Sequence, residues 1–117
     1  MKINEMTALL SGEARTAAAH ADAEITSAYA GDMLSDVLAL GSQPDVLLTG
    51  LLNPQVIRTA EMLDMHCIIF VRGKRPDETV LSLARQKDIT ILATPYRMFT
   101  ACGLLYENGL EGGCDVS

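Results

Sequence analysis

One phrase recurs three times in this chain: an apolar strand, a short turn, a proline and an amphipathic helix. Its instances are Val46-Leu47-Leu48-Thr49-Gly50 before Asn53-Pro54, Ile68-Ile69-Phe70-Val71-Arg72-Gly73 before Arg75-Pro76, and Ile91-Leu92-Ala93-Thr94 before Pro95. A strand-helix-strand series predicts strands that run parallel, with crossover helices packed on the sheet. The turns that follow those strands then collect along one edge, where open α/β folds bind ligands. The phrase says where to look for function and demands no catalysis.

The strands read as continuous apolar runs, Cys67-Ile68-Ile69-Phe70-Val71 most clearly. That pattern implies burial on both faces and a central parallel position. Three unequal units after a different N-terminal third favour an open sheet over a solenoid. The expectation is an α/β fold, a single domain with an open, mostly parallel sheet and crossover helices. It spans residues 1–110, with a flexible tail at 111–117. The 117 residues fit one domain.

Helical stripes are expected at Ile3, Met6, Leu9 and Leu10, at Met33, Leu34, Val37 and Leu38, and at Val56, Ile57, Ala60 and Leu63. Two more are Val80, Leu81 and Ala84, then Met98, Phe99, Cys102, Leu105 and Tyr106. Asn4 and Asp32 are expected as N-caps, Gly12 and Gly41 as stops, and Asn53 and Thr94 as caps before their prolines. Pro54, Pro76 and Pro95 suit a first helical turn. Residues 24–30 read as a strand and residues 14–19 as a second one, with His20-Ala21-Asp22-Ala23 as the turn between them.

Hydrophobic residues make up 49% of the chain, enough for a core. A net charge of −6 opposes nonspecific binding to nucleic acid or an anionic membrane, which needs a basic face. No apolar run approaches the roughly 18 residues that span a bilayer, and no signal-peptide core follows Met1-Lys2-Ile3-Asn4-Glu5. A cytoplasmic protein is expected. Cys67 and Cys102 read as small core hydrophobes and Cys114 as an exposed thiol with no basic neighbour.

Arg72-Gly73-Lys74-Arg75 carries three of the nine basic residues in an acidic chain. It lies between a buried strand and a helix start, where free N–H groups and the helix dipole favour an anion. Arg72, Gly73 and Lys74 are therefore candidate phosphate or carboxylate binders. The alternative is a solvated turn that neutralises Asp77 and Glu78. Thr49, Gly50, Asn53 and Gln55 hold the equivalent place one unit earlier, as ligand-orienting groups or as turn and cap chemistry. Thr94 holds it one unit later. Asp32 reads foremost as a cap, and also as an acceptor for a ribose hydroxyl.

Signatures of catalysis are missing from the sequence. Gly73-Lys74 is not a P-loop, since Arg75 stands where Ser or Thr is required, and no GxGxxG or GxSxG occurs. His20 and His66 are not spaced as metal ligands. The expectation is a non-enzyme without cofactor or metal.

Four strings carry a resemblance: Ala30-Gly31-Asp32-Met33-Leu34-Ser35-Asp36-Val37-Leu38, Leu48-Thr49-Gly50, Val71-Arg72-Gly73-Lys74-Arg75-Pro76-Asp77, and Thr94-Pro95-Tyr96-Arg97-Met98-Phe99. Over residues 2–110 the chain resembles the DRTGG domain. The resemblance implies a compact α/β regulatory module, similar to the N-terminal domain of HPr kinase/phosphorylase and to domains found beside CBS domains in regulated pyrophosphatases and in phosphotransacetylases. It implies homodimerisation and ligand sensing rather than chemistry. Stand-alone members are associated with iron-hydrogenase and signalling proteins. The chain departs from the pattern in having no contiguous Asp-Arg-Thr-Gly-Gly and no kinase domain, so kinase activity does not carry over. Three functions compete: a homodimeric sensor of a small anion or nucleotide, an accessory subunit that docks on a larger enzyme or signalling protein, and a small enzyme whose site carries no recognisable motif.

Overall fold

The computed structural model describes residues 1–16, 23–39 and 44–112. In chain order its elements are α1 (Ile3–Leu9), β1 (Glu13–Ala14), β2 (Ala28–Ala30), α2 (Leu34–Leu38), β3 (Val46–Thr49), α3 (Gln55–Met62), β4 (Cys67–Phe70), α4 (Glu78–Gln86), β5 (Thr90–Ala93) and α5 (Met98–Glu107). The three apolar runs become β3, β4 and β5, and every residue of these strands is buried.

The strands form one sheet in the order β1-β5-β4-β3-β2. Strands β2 to β5 are mutually parallel, and β1 lies antiparallel against β5. The expected open, mostly parallel α/β sheet is what the chain forms. Each crossover from β2 to β5 steps one strand in the same direction, and connections of one hand then put their helices on one face. Accordingly Val37 of α2, Val56, Ile57 and Ala60 of α3, and Val80, Leu81 and Ala84 of α4 share a core with Leu47, Ile68, Phe70 and Ile91. On the other face α1 and α5 bury Ile3, Met6, Ala101 and Leu105 against Val46, Leu48, Ile69 and Leu92.

Several local expectations are corrected. The cap of α1 is Lys2, whose N–H donates to Glu5 Oε1 at 2.9 Å, while Asn4 lies exposed inside the helix. The left-handed turn after α1 falls at Ser11 rather than Gly12. Helix α2 buries only Val37, leaving Met33 and Leu38 exposed. Helix α5 buries Ala101 and Leu105, whereas Phe99 and Tyr106 stand outside. Pro54 is the cap of α3, Pro76 precedes the cap Asp77, and Pro95 precedes the cap Arg97, so no proline enters a first turn.

The N-terminal strands are shorter than expected: β1 is Glu13–Ala14 and β2 is Ala28–Ala30, extended by bridges at Glu24 and Ser27. The chain is still held at its expected tail boundary, for Leu110 is buried and Glu111 exchanges backbone hydrogen bonds with Thr26 and Ala28. Residues 17–22 with His20, the Gly41 stop, and residues 113–117 with Cys114 lie outside the described residues. Cys67 is buried and its thiol pKa is pushed far up by that burial.

Thr94 is 1% exposed, and its hydroxyl donates to the Leu10 carbonyl at 2.6 Å and accepts from the Tyr96 N–H at 3.2 Å. It joins α1 to the end of β5 and caps no helix. The isosteric Thr94→Val change strands both partners and should cost about 1–3 kcal/mol. Urea denaturation measures this, and a loss below about 0.5 kcal/mol would remove Thr94 from the structural frame.

Candidate functional site

In a parallel ladder all strands finish at the same edge, and here the segments beyond them are stitched together. Gly31 N–H donates to Leu48 O, Val71 N–H to Thr49 O, and Thr94 N–H to Phe70 O. Gly73 N–H then reaches Thr94 O at 2.8 Å, and Arg72 N–H reaches Tyr96 O at 2.7 Å. Residues near 31, 50, 72 and 94 therefore share one rim.

The basic segment makes a tight turn in which Lys74 N–H donates to Val71 O at 3.2 Å. Its central residues, Arg72 and Gly73, have φ of 61° and 69°. Positive φ at both positions marks a type I′ turn. Glycine adopts it freely, but a side chain at Arg72 costs about 1–2 kcal/mol there. The consequence is that the Arg72 guanidinium folds back over Gly50, where an added Cβ would stand 3.1 Å from Nη2.

Asp32 completes this cluster. Its Oδ1 accepts from the Gly50 N–H and from the Thr49 hydroxyl, both at 2.8 Å. Helix α2 is instead capped by Met33 without any side-chain bond, so the expected cap role of Asp32 is replaced by a clamp between the ends of β2 and β3. The Gly50 and Thr49 hydrogen bonds hold the Asp32 pKa below its usual range, assisted by the charges of Arg72 and Lys74 and opposed by desolvation.

The candidate residues fall into three places. Asp32, Gly50 and Arg72 meet at the rim, with Lys74 close enough to act on Asp32 electrostatically. Thr49 lies fully buried beneath them, with its hydroxyl also accepting from Leu51 N–H, so it shapes the rim from below. Gly73 and Thr94 border a cavity of about 230 Å³ toward β1, shared with Ser11, Glu13 and Arg75. There Arg75 pairs with Glu13 at 3.4 Å, and not with Asp77 or Glu78. Asn53 and Gln55 sit elsewhere, in a groove of about 640 Å³ between α3 and α4 that Arg58 and Ser82 also line. Asn53 Oδ1 accepts from Gln55 N–H at 3.0 Å, local chemistry at the start of α3.

The backbone of the basic turn offers an anion little. The N–H groups of Arg72, Gly73 and Lys74 are all donated to carbonyls. The start of α4 already holds an acid, since the Asp77 carboxylate accepts from Val80 N–H at 3.1 Å. What remains is side-chain charge: the exposed Arg72 guanidinium and the half-buried Lys74 ammonium. The sequential strand order also provides no reversal between parallel neighbours, so the rim lacks the crevice of a topological switch point. Among the described residues no group of three or more His, Cys, Asp or Glu could hold a metal, and no helix is long and apolar enough to cross a membrane.

No protein-family model matches the sequence, and no curated protein does. Among solved structures, the chain is similar to the CBS and DRTGG domains of the regulatory region of Clostridium perfringens pyrophosphatase, determined in complex with its activator, diadenosine tetraphosphate. The TM-score is 0.76 at 21% identity, over 89% of this chain and 45% of that one. The likeness shows a shared, DRTGG-like fold. This chain spans less than half the length of that region.

The clamp has a measurable signature. A carboxylate with a depressed folded pKa adds stability that is present above its unfolded pKa and lost as pH falls through the folded one. Asp32→Ala removes two charge-assisted bonds and should cost about 1–2 kcal/mol at neutral pH. The deficit should shrink on acidification below about pH 4, where wild type loses the same contribution. Chemical denaturation of both proteins across that range checks it, and a deficit independent of pH contradicts the clamp.

Proposed function

We propose that this chain is a non-catalytic regulatory module that binds a small anionic ligand, a nucleotide or other phosphate compound, and acts as a homodimer. The observation that carries the reading is Arg72. It keeps a side chain at a left-handed position suited to glycine, and the exposed residue stands at the rim over Gly50, acting on Asp32 by charge. Lys74 stands two residues on in the same turn. Both cations lie at the carboxyl rim of the sheet, and strain held at such positions is characteristic of ligand sites. The similar pyrophosphatase region binds a nucleotide activator, which supports a ligand of the same chemical class here.

In this reading the phosphate bonds to Arg72 and Lys74 from the solvent side, while Asp32 orients the guanidinium by attraction across Gly50. A ribose hydroxyl adjacent to that phosphate would find Asp32 Oδ2 as an acceptor. The pocket does no chemistry, and binding changes how the module engages its partner. An accessory subunit docked on a larger enzyme is the second reading, favoured by the exposed apolar side chains of α5.

Isothermal titration against AMP, ADP, ATP, diadenosine tetraphosphate and acetyl phosphate tests the ligand reading. At least one should bind, more weakly as salt rises. Arg72→Gly should weaken binding about tenfold or more, the scale of one charged hydrogen bond of 1.5–3 kcal/mol. The same variant should be slightly more stable than wild type, because it relieves the left-handed turn. Lys74→Ala should also weaken binding. No heat with any of these ligands, or full binding by a variant carrying both Arg72→Gly and Lys74→Ala, would defeat the proposal.

A further inference from the structure

We infer that the outer face of α5 is a two-fold interface on which a second copy of this chain packs antiparallel; this rests on the homodimer reading above. Phe99 is 90% exposed and Tyr106 76% exposed. They are two of only five aromatic side chains in a chain with two Phe, three Tyr and no Trp. Aromatics this scarce are normally spent on the core, and an exposed pair on one helix marks an interaction surface. Residues 98–106 contain no charge, whereas Arg97 before them and Glu107 at their end are both exposed.

The helix geometry makes this face self-complementary. Phe99, Gly103 and Tyr106 follow the i, i+4, i+7 spacing of one stripe. Phe99 and Tyr106 lie about 10 Å apart along the axis. Gly103 is exposed between them, and a Cβ there would meet nothing within 4 Å. The fold therefore does not require glycine, which costs about 1 kcal/mol against alanine within a helix. A helix crossing at that point does gain from it, because the two backbones approach closely.

Centring an antiparallel copy between Cys102 and Gly103 sets Phe99 level with the partner's Tyr106. It also brings Arg97 to within one residue of the partner's Glu107, and the two-fold repeats both pairings. The end charges are thus complementary for this partner in this orientation and repulsive in the parallel one. A cavity of about 110 Å³ lies at the level of Tyr106, between α5 and the edge strand β2, lined by Tyr29, Ala30, Cys102 and Leu105. It receives the edge of the incoming Phe99 ring. Four aromatic side chains at roughly 150 Å² each bury about 600 Å². With their flanks they reach the low end of specific interfaces, where weak and transient pairs sit, so the micromolar range is the one to search.

Light scattering on the ligand-free protein across the micromolar range tests the interface. Wild type should rise from 12.6 kDa toward twice that mass. Phe99→Glu and Gly103→Leu, both at exposed positions, should stay monomeric and folded, Gly103→Leu with a thermal midpoint raised by the gain in helix propensity. Arg97→Glu and Glu107→Arg should each weaken self-association several-fold, and mixing the two variants should restore a dimer, since each then faces the opposite charge. Wild type that stays monomeric throughout overturns both the interface and the homodimer reading. A dimer untouched by Phe99→Glu and Gly103→Leu overturns the interface and leaves the homodimer standing. A monomeric wild type that instead holds a foreign protein through Phe99 assigns the face to that partner and overturns the inference.

Discussion

Both faces of β3, β4 and β5 are apolar, so alternation of polarity cannot fix how these strands line up. A one-residue slip would exchange Leu47 and Leu48, or Ile68 and Ile69, between cores that accept either. The polar groups at the ends of the strands break the degeneracy. The Thr49 hydroxyl meets Asp32 only when β2 and β3 finish together, and the Thr94 hydroxyl meets the Leu10 carbonyl only when β5 and α1 are in place. Buried hydroxyls without partners are costly, so each bond selects one register. The rim is therefore both the lock of the ladder and the place where its loops converge.

This double duty explains which parts of the molecule were legible in the sequence. Strands β3 to β5 stood out because continuous apolar runs have few other uses at that length. The stripes of α3 and α4 were correct because charged and polar residues fill their outer faces, which leaves one way to orient them. Helix α5 has no such polar side. Met98, Phe99, Cys102, Leu105 and Tyr106 fit a helical period as well as Ala101 and Leu105 do, and periodicity alone cannot turn an all-apolar helix. Only the sheet beneath decides that the small Ala101 faces inward.

Asp32 was hidden for a different reason. An aspartate before a helix is the ordinary form of a cap, and its partners at Gly50 and Thr49 lie 18 and 17 residues away. Nothing local distinguishes a carboxylate that caps its own helix from one that closes onto a neighbouring strand. The convergence of residues 50, 73 and 94 was legible, because it follows from parallel strands. The division of those residues into exposed charge, buried hydroxyl and helix-groove amide was not, because it depends on side-chain direction.

The electrostatics of the rim then limit what kind of recognition it can support. Glycine-rich phosphate loops succeed by aiming many backbone N–H groups at one anion, which discriminates by geometry. Here the donors of the basic turn are spent on holding the rim together. Arg72 and Lys74 must act as charges on flexible stems, against the opposing charge of Asp32 nearby. Such a site gains with each added negative charge on the ligand and is screened by salt. In the proposed ligand role it would favour polyphosphates over monophosphates by charge number rather than by fit. If the proposed ligand role holds, a module built this way would read the abundance of highly charged small molecules, and finer selectivity would have to come from a second surface added to the first, as pairing through a two-fold would supply.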